Sequence, residues 1–172
     1  ARIALAMGFA SRMANYPHPA NGIDALASAT PLAVSGQMGA ADYVTLLLGN
    51  HGGVLGETCA ITLLIGGIYL IWTKVISPTI PVTYLATVAV FSLLCGYDPI
   101  YQLLSGGLIL GAFFMATDYV TSPTTEKGKL VFGIGLGVIT CLIRFFGTMN
   151  EGVSFAILLM NLLVPYIEVL TR

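Results

Sequence analysis

Five apolar runs of near-membrane length, punctuated by proline and glycine, constrain this chain more than anything else in it. They lie at about 55 to 74, 79 to 95, 100 to 117, 130 to 147 and 152 to 170, each near the ~20 residues that a bilayer core asks of a crossing helix. Pro78, Pro81, Pro99 and Pro123, with Gly96, Gly128 and Gly152, fall where helix breakers belong. Composition points the same way, with 56% hydrophobic and only 9% charged residues, far from the balance of soluble domains. A net charge of −1 with 7 Lys plus Arg leaves no basic patch for nucleic acid, and that class of partner is excluded. The fold class that follows is an all-α polytopic membrane protein.

Upstream of these runs the pattern is less regular. Residues 1 to 14 read as the end of another helix, which brings the expectation to about five to six transmembrane helices. Tyr43 to Leu48 is apolar but too short to cross, and Gly49-Asn50-His51-Gly52-Gly53 interrupts it. Irregular backbone at membrane depth is tolerated only against protein or a water-filled cavity, so 42 to 57 is expected to be a re-entrant or broken helix walling a site. The chain is read as one membrane domain over 1 to 172, with an extracytoplasmic segment at 15 to 54 and a five-helix bundle at 55 to 172, one half of an inverted-repeat, transporter-like fold. It begins at Ala1 without a methionine or a signal-peptide pattern, and is expected to be part of a longer protein. Gly107 and Gly111, and Gly133 and Gly137 with Gly135 between, have the small-xxx-small spacing of closely packed membrane helices. Cys59, Cys95 and Cys141 lie in different apolar runs without metal-ligand spacing and read as small hydrophobes.

Loop cations set an orientation. Lys74, Lys127, Lys129 and Arg172 fall on one side, expected to be cytoplasmic. If 42 to 50 does not cross, Asp24, Thr30, His51 and Glu57 lie on the opposite, outer face. Thr30 directly precedes Pro31, which pushes it toward extended backbone, and Ser28 and Ala29 leave little bulk around its hydroxyl. The hydroxyl is placed for modification; the same residues also suit an ordinary membrane-edge turn. Charge within apolar sequence is costly and marks ion paths. Glu57 and Asp118 therefore read either as the lining of a sodium or proton route or as interfacial caps and lysine partners. Asn161, uncharged at mid-span, reads as a bridge between helices.

Several motifs in order carry a family resemblance: Asp24-Ala25-Leu26-Ala27-Ser28-Ala29-Thr30-Pro31-Leu32, the Gly49 to Glu57 segment with Leu55-Gly56-Glu57-Thr58, Phe114-Met115-Ala116-Thr117-Asp118, Thr121-Ser122-Pro123, and Ala156-Ile157-Leu158-Leu159-Met160-Asn161. Together they resemble the D subunit of the Rnf ion-translocating ferredoxin:NAD oxidoreductase complex, roughly its C-terminal half. The sister family is the B subunit of the sodium-translocating NADH:quinone oxidoreductase.

The resemblance implies a covalent FMN, moved from FAD by an extracytoplasmic flavin transferase onto Thr30 through a phosphoester. Asp24, Ser28, Ala29, His51 and Arg144 are the residues expected around it. Where the family usually has Ser-Gly, this chain has Ala27-Ser28, which removes glycine's positive-φ freedom. The linkage keeps a negative charge at the outer surface, which a cation would stabilise. Arg144, at the outer end of its run, is placed for that or for snorkelling. His51 is a donor to flavin or phosphate, or simply a polar loop residue. The redox chemistry would be the cofactor's, with position and electrostatics supplied by the protein. The implied partners are the flavoprotein G, membrane A and E, iron-sulfur B and NADH-binding C subunits, in a bacterial or archaeal inner membrane, with Thr30 extracytoplasmic. Neither a Rossmann glycine fingerprint nor a cysteine cluster is present, so no complete active site, catalytic acid-base pair or metal centre is expected in this chain. Two other readings stand beside this one: the quinone-reducing sister complex, and a flavin-free channel or secondary transporter.

Overall fold

The computed structural model describes residues 59–105, 107–146 and 152–171. The expected helix end at 1 to 14 and the irregular segment at 42 to 57 lie outside them. Among the described residues every regular element is helical. In chain order they are α1 (Ala60–Trp72), α2 (Thr79–Leu94), α3 (Pro99–Leu104), a short α4 (Leu108–Leu110) that runs into a π-helical turn at Gly111–Met115, α5 (Glu126–Phe146) and α6 (Val153–Thr171). α5 and α6, at 21 and 19 residues, are long and apolar enough to cross a membrane, with α5 spanning about 30 Å.

The α2–α5 pair is the centre of the packing. On α5, Gly133 and Gly137 face α2, where a Cβ on Gly133 would overlap the Thr83 side chain and one on Gly137 would sit 2.5 Å from Thr87 Cβ. Thr83 and Thr87 turn their hydroxyls back onto their own helix, each donating to the carbonyl four residues earlier at 2.7 Å. Their polar atoms are thereby satisfied without water, so the close approach of the glycines strands no hydroxyl. The other face of α5 meets α6, where Gly135 accommodates the end of Met160. Tyr84, Phe132 and Leu136 are completely buried along the seam, and Cys141 packs there as the small hydrophobe its sequence context predicts.

One end of the molecule gathers the lysines. Thr79 Oγ1 donates to Glu126 Oε2 at 3.1 Å, tying the start of α2 to the start of α5, and Lys129 pairs with Glu126 at 2.7 Å. Thr124 donates to Glu168 Oε1 from both its backbone N–H and its hydroxyl, each at 2.9 Å. Thr125 and Thr171 share a hydrogen bond of 2.9 Å, which brings the end of α6 to the same place. Lys74, Lys127 and Lys129 therefore belong to one end, as their spacing predicts.

The run at 100 to 117 departs from expectation, because it is not one continuous helix. α3 starts well: Pro99 occupies the first turn, and Asp98 Oδ1 accepts from the Ile100 N–H at 3.0 Å as an N-cap. It ends after Leu104, and Gly107 adopts a left-handed conformation at φ 64° before α4 begins. Gly107, expected as a packing glycine paired with Gly111, instead makes the break. Its φ is one that a side chain strains against. Gly111 does pack closely, against Val153 of α6. The π-helical turn after it is lodged by Gly66 and Gly67 of α1, where added Cβ atoms would meet the rings of Phe114 at 3.2 Å and Phe113 at 2.5 Å.

The glycine seams yield a graded stability prediction. Gly133→Ala forces its methyl against Thr83 Cβ, 2.9 Å away, and the Ile80 carbonyl, 3.3 Å away, and is expected to cost about 1–3 kcal/mol as overpacking. Gly135→Ala presses only on the flexible Met160 thioether and is expected to cost less. Thermal unfolding of the purified subunit in detergent, followed by intrinsic fluorescence, checks the order; equal stability of the two variants would contradict this packing.

Candidate functional site

A break in a crossing segment leaves backbone carbonyls without helical partners in a medium that offers no water. Here the partner is Arg144, in the last turn of α5. Its Nη1 donates to the Gln102 carbonyl at 2.7 Å and to Gln102 Oε1 at 3.3 Å. Its Nη2 donates to the Ser105 carbonyl at 3.0 Å. A guanidinium carries five donors in a fixed fork, so it can take up several acceptors at once at the negative end of α3. One turn below, the Tyr84 hydroxyl and Thr140 Oγ1 are fully buried and 2.7 Å apart. Together they form a polar seam in the half of the molecule away from the lysines. The Tyr101 hydroxyl, on α3, is buried there without a hydrogen-bond partner among the described residues.

Above this seam sits an aromatic group. Tyr97, in the turn between α2 and α3, stacks on Phe145 with ring centres 4.5 Å apart and planes 14° from parallel. Phe91 lies behind Phe145 at 6.2 Å.

At the lysine end a cavity of about 530 Å³ lies between α1, the π-helical turn, the 118 to 121 turn and α6. Asp118, Thr117, Thr121 and Asn161 supply its polar lining, and Phe113, Phe114 and Ile157 part of its apolar wall. Asp118 is exposed and caps its own turn, with Oδ1 accepting from the Val120 N–H at 3.2 Å and Oδ2 from Thr121 Oγ1 at 3.5 Å. The nearby lysine charge of Lys129 is matched by Glu126 instead. Asn161 lies one helical turn before Pro165, which sits inside α6. A proline has no N–H for the carbonyl four residues back, so the Asn161 backbone is short of one intrahelical bond beside the cavity.

Of the residues expected around a cofactor or along an ion path, Asp118 and Arg144 are described, and they stand at opposite ends of the described bundle. Asp24, Ser28, Ala29, Thr30, His51 and Glu57 lie outside the described residues. The structure adds Gln102, Ser105, Tyr97 and Phe145, which no short motif marks. Pro99 after Asp98, followed by the Ser105-Gly106-Gly107 run, is the signal that would have located the break.

A model of the NQR2, RnfD, RnfE family matches residues 1–172. Similar proteins include the D subunit of the Na(+)-translocating ferredoxin:NAD(+) oxidoreductase complex of Acetobacterium woodii, 49% identical over 154 residues, a match covering 87% of this chain and 48% of the relative. The D subunit of the proton-translocating ferredoxin:NAD(+) oxidoreductase complex of Clostridium ljungdahlii is 41% identical over 171 residues, covering 89% and 52%. The D subunit of the ion-translocating oxidoreductase complex of Mannheimia succiniciproducens is 40% identical over 165 residues, covering 87% and 46%. The chain spans about half the length of these curated relatives.

Removing the guanidinium should expose its structural role. Arg144→Leu leaves the Gln102 and Ser105 carbonyls without their donors and is expected to cost on the order of 3 kcal/mol, since bonds to a charged group are worth ~1.5–3 kcal/mol each. Arg144→Lys, with one point of charge and no fork, should recover part of that. Limited proteolysis in nanodiscs reads the loss as faster cleavage between 104 and 108; wild-type cleavage rates in both variants would show that the break holds itself.

Proposed function

Because the chain belongs to the NQR2, RnfD, RnfE family, we propose that it is part of the D-type membrane subunit of an ion-translocating ferredoxin:NAD oxidoreductase, carrying covalent FMN on Thr30. The observation that carries the proposal is the 49% identity to the D subunit of a ferredoxin:NAD(+) oxidoreductase complex across 87% of the chain. The ordered motifs from Asp24 to Asn161 support it.

On this reading Thr30 Oγ holds the phosphoester, and Ser28 and Ala29 keep the approach open for a flavin transferase. Asp24 and His51 flank it as hydrogen-bonding groups. FMN supplies the one- and two-electron chemistry; the chain supplies its position and charge environment. Arg144 stands at the end away from the lysines, where the positive-inside bias puts the outer surface. Its Nη1 and Nη2 bond Gln102 and Ser105, so on this reading its contribution to a phosphate would be mainly through charge.

Glu57 and Asp118 are proposed to line the cation route, coupled to the redox state of the flavin, with the remaining subunits of the complex supplying the iron-sulfur, flavoprotein and nicotinamide sites. Sodium and proton both appear in the names of similar proteins, and the chain's own acids suit either. A second reading, a flavin-free channel or transporter, is favoured by the interrupted crossing segment, since discontinuous helices at membrane depth are common in transporters. The quinone-reducing sister complex shares the family and would share the Thr30 chemistry.

Two experiments separate these readings. In-gel fluorescence of the denatured full-length subunit should show a flavin band that Thr30→Ala abolishes; a dark wild-type band favours the channel. Asp118→Asn and Glu57→Gln should each keep that band but lower the ions moved per electron in sealed vesicles. Unchanged coupling in both variants removes the cation-route assignment.

A further inference from the structure

At the lysine end, Lys74 holds a backbone conformation that a residue with a side chain does not favour. Its φ is 57°, the one left-handed angle at a non-glycine among the described residues. It directly follows Thr73, the C-cap of α1, where the Val75 N–H reaches back to the Leu70 carbonyl and the Lys74 N–H to that of Ile71, both at 3.0 Å. This is the Schellman ending of a helix, and glycine is the residue that takes its left-handed place without strain. Capping does not account for the lysine. The Tyr69 carbonyl accepts from the Thr73 N–H and hydroxyl, each at 2.9 Å, and those of Leu70 and Ile71 are met by backbone N–H groups. An ion pair among the described residues does not account for it either: Glu126 pairs with Lys129, Glu168 accepts from Thr124, Asp118 caps its own turn, and Lys74 is exposed. Strain kept at a single position points to a task for the side chain placed there.

The face of α1 that leads to Lys74 has the dimensions of a lipid chain. Ile61, Ile65, Ile68 and Trp72 recur at helical spacing and all are exposed, Trp72 at 82%. The opposite face is fixed, with Gly66 and Gly67 against Phe114 and Phe113. From Ile61 to Trp72 the helix rises ~16 Å, close to one leaflet's half of the ~30 Å hydrocarbon core. The stripe passes from aliphatic side chains to an indole, a ring that favours the membrane interface, and ends at a cation. We propose that this stripe and Lys74 bind an anionic phospholipid of the leaflet at the lysine end, with the phosphate at the ammonium, the glycerol region beside Trp72 and an acyl chain along Ile68, Ile65 and Ile61. Charge complementarity and the leaflet-long stripe together select this occupant. An apolar helix of a neighbouring subunit would cover the stripe without using the strained cation, and that occupant is an outcome of the test. The site is independent of the flavin and of the cation route.

The readout is tryptophan emission. The full-length subunit in its native assembly is reconstituted into phosphatidylcholine nanodiscs that carry a small, equal mole fraction of either phosphatidylglycerol or phosphatidylcholine with brominated acyl chains. Bromine quenching of Trp72 is taken as the difference from Trp72→Phe. Brominated phosphatidylglycerol should quench Trp72 severalfold more than brominated phosphatidylcholine. The preference should shrink as salt rises, survive in Lys74→Arg and be lost in Lys74→Gln. Lys127→Gln, which removes another exposed cation from the same end, should keep most of it. Lys74→Gly should lose the preference and yet raise the Tm by a few degrees, because the strain leaves with the side chain; it carries the test if Lys74→Gln does not assemble. Soluble glycerol phosphate should leave the quenching in place, and displacement by it assigns the site to a free phosphate and overturns the lipid. Equal quenching by the two lipids in the wild type overturns the proposal, and weak quenching by both assigns the stripe to a neighbouring protein helix. An equal loss of preference in Lys127→Gln and Lys74→Gln reduces the effect to general surface charge and overturns the site. A lowered Tm in Lys74→Gly removes the strain on which the proposal is built.

Discussion

In hydrocarbon, a peptide group without a partner has nowhere else to bond, and the packing of the described residues depends on how a broken helix is answered there. The helix that starts at Pro99 ends at Leu104 and the next starts at Leu108, and the released carbonyls are met by the guanidinium of Arg144. Each half of this arrangement makes the other tolerable. A cation at membrane depth is costly unless it is paired or solvated by dipoles, and broken-helix carbonyls are costly unless a donor reaches them. The reach depends in turn on how closely α5 approaches its neighbours. Gly133 and Gly137 let α5 lie against the backbone of α2, and α3 also packs on α2. A bulkier α5 would hold Arg144 away from Ser105.

This dependence explains which features could be read from the sequence and which could not. The apolar runs and the segregation of Lys74, Lys127 and Lys129 were legible because hydropathy and loop charge are local properties. So was the close-packing role of Gly133 and Gly137, whose spacing fits an unbroken helix. Gly107 has the same spacing to Gly111, yet it turns left-handed. Spacing cannot say whether the residues between two glycines remain helical when another helix offers the carbonyls a better donor. The role of Arg144 was hidden for the same reason: its partners are 42 and 39 residues away in the chain and two of them are backbone atoms, which leave no mark in a sequence. Asp118 could be read as an interfacial cap, a lysine partner or an ion ligand, and only the structure shows it capping its own turn. The family motifs around Thr30 speak to chemistry and not to shape, and they lie outside the described residues.

The fastening at Arg144 reaches further than the break it answers. Phe145 follows Arg144 directly in the chain and stacks on Tyr97 with ring centres 4.5 Å apart, and Phe91 of α2 lies behind it at 6.2 Å. Aromatic pairs of this kind contribute about 0.5–1.5 kcal/mol beyond the area they bury, so they add to a contact that the guanidinium has already brought into register. Three elements, the end of α2, the turn that carries Tyr97 and the last turn of α5, therefore meet beside the interrupted helix because one side chain on α5 bonds backbone carbonyls of α3 and the residue after it. A change at Arg144 would be felt by the aromatic group as well as by the break.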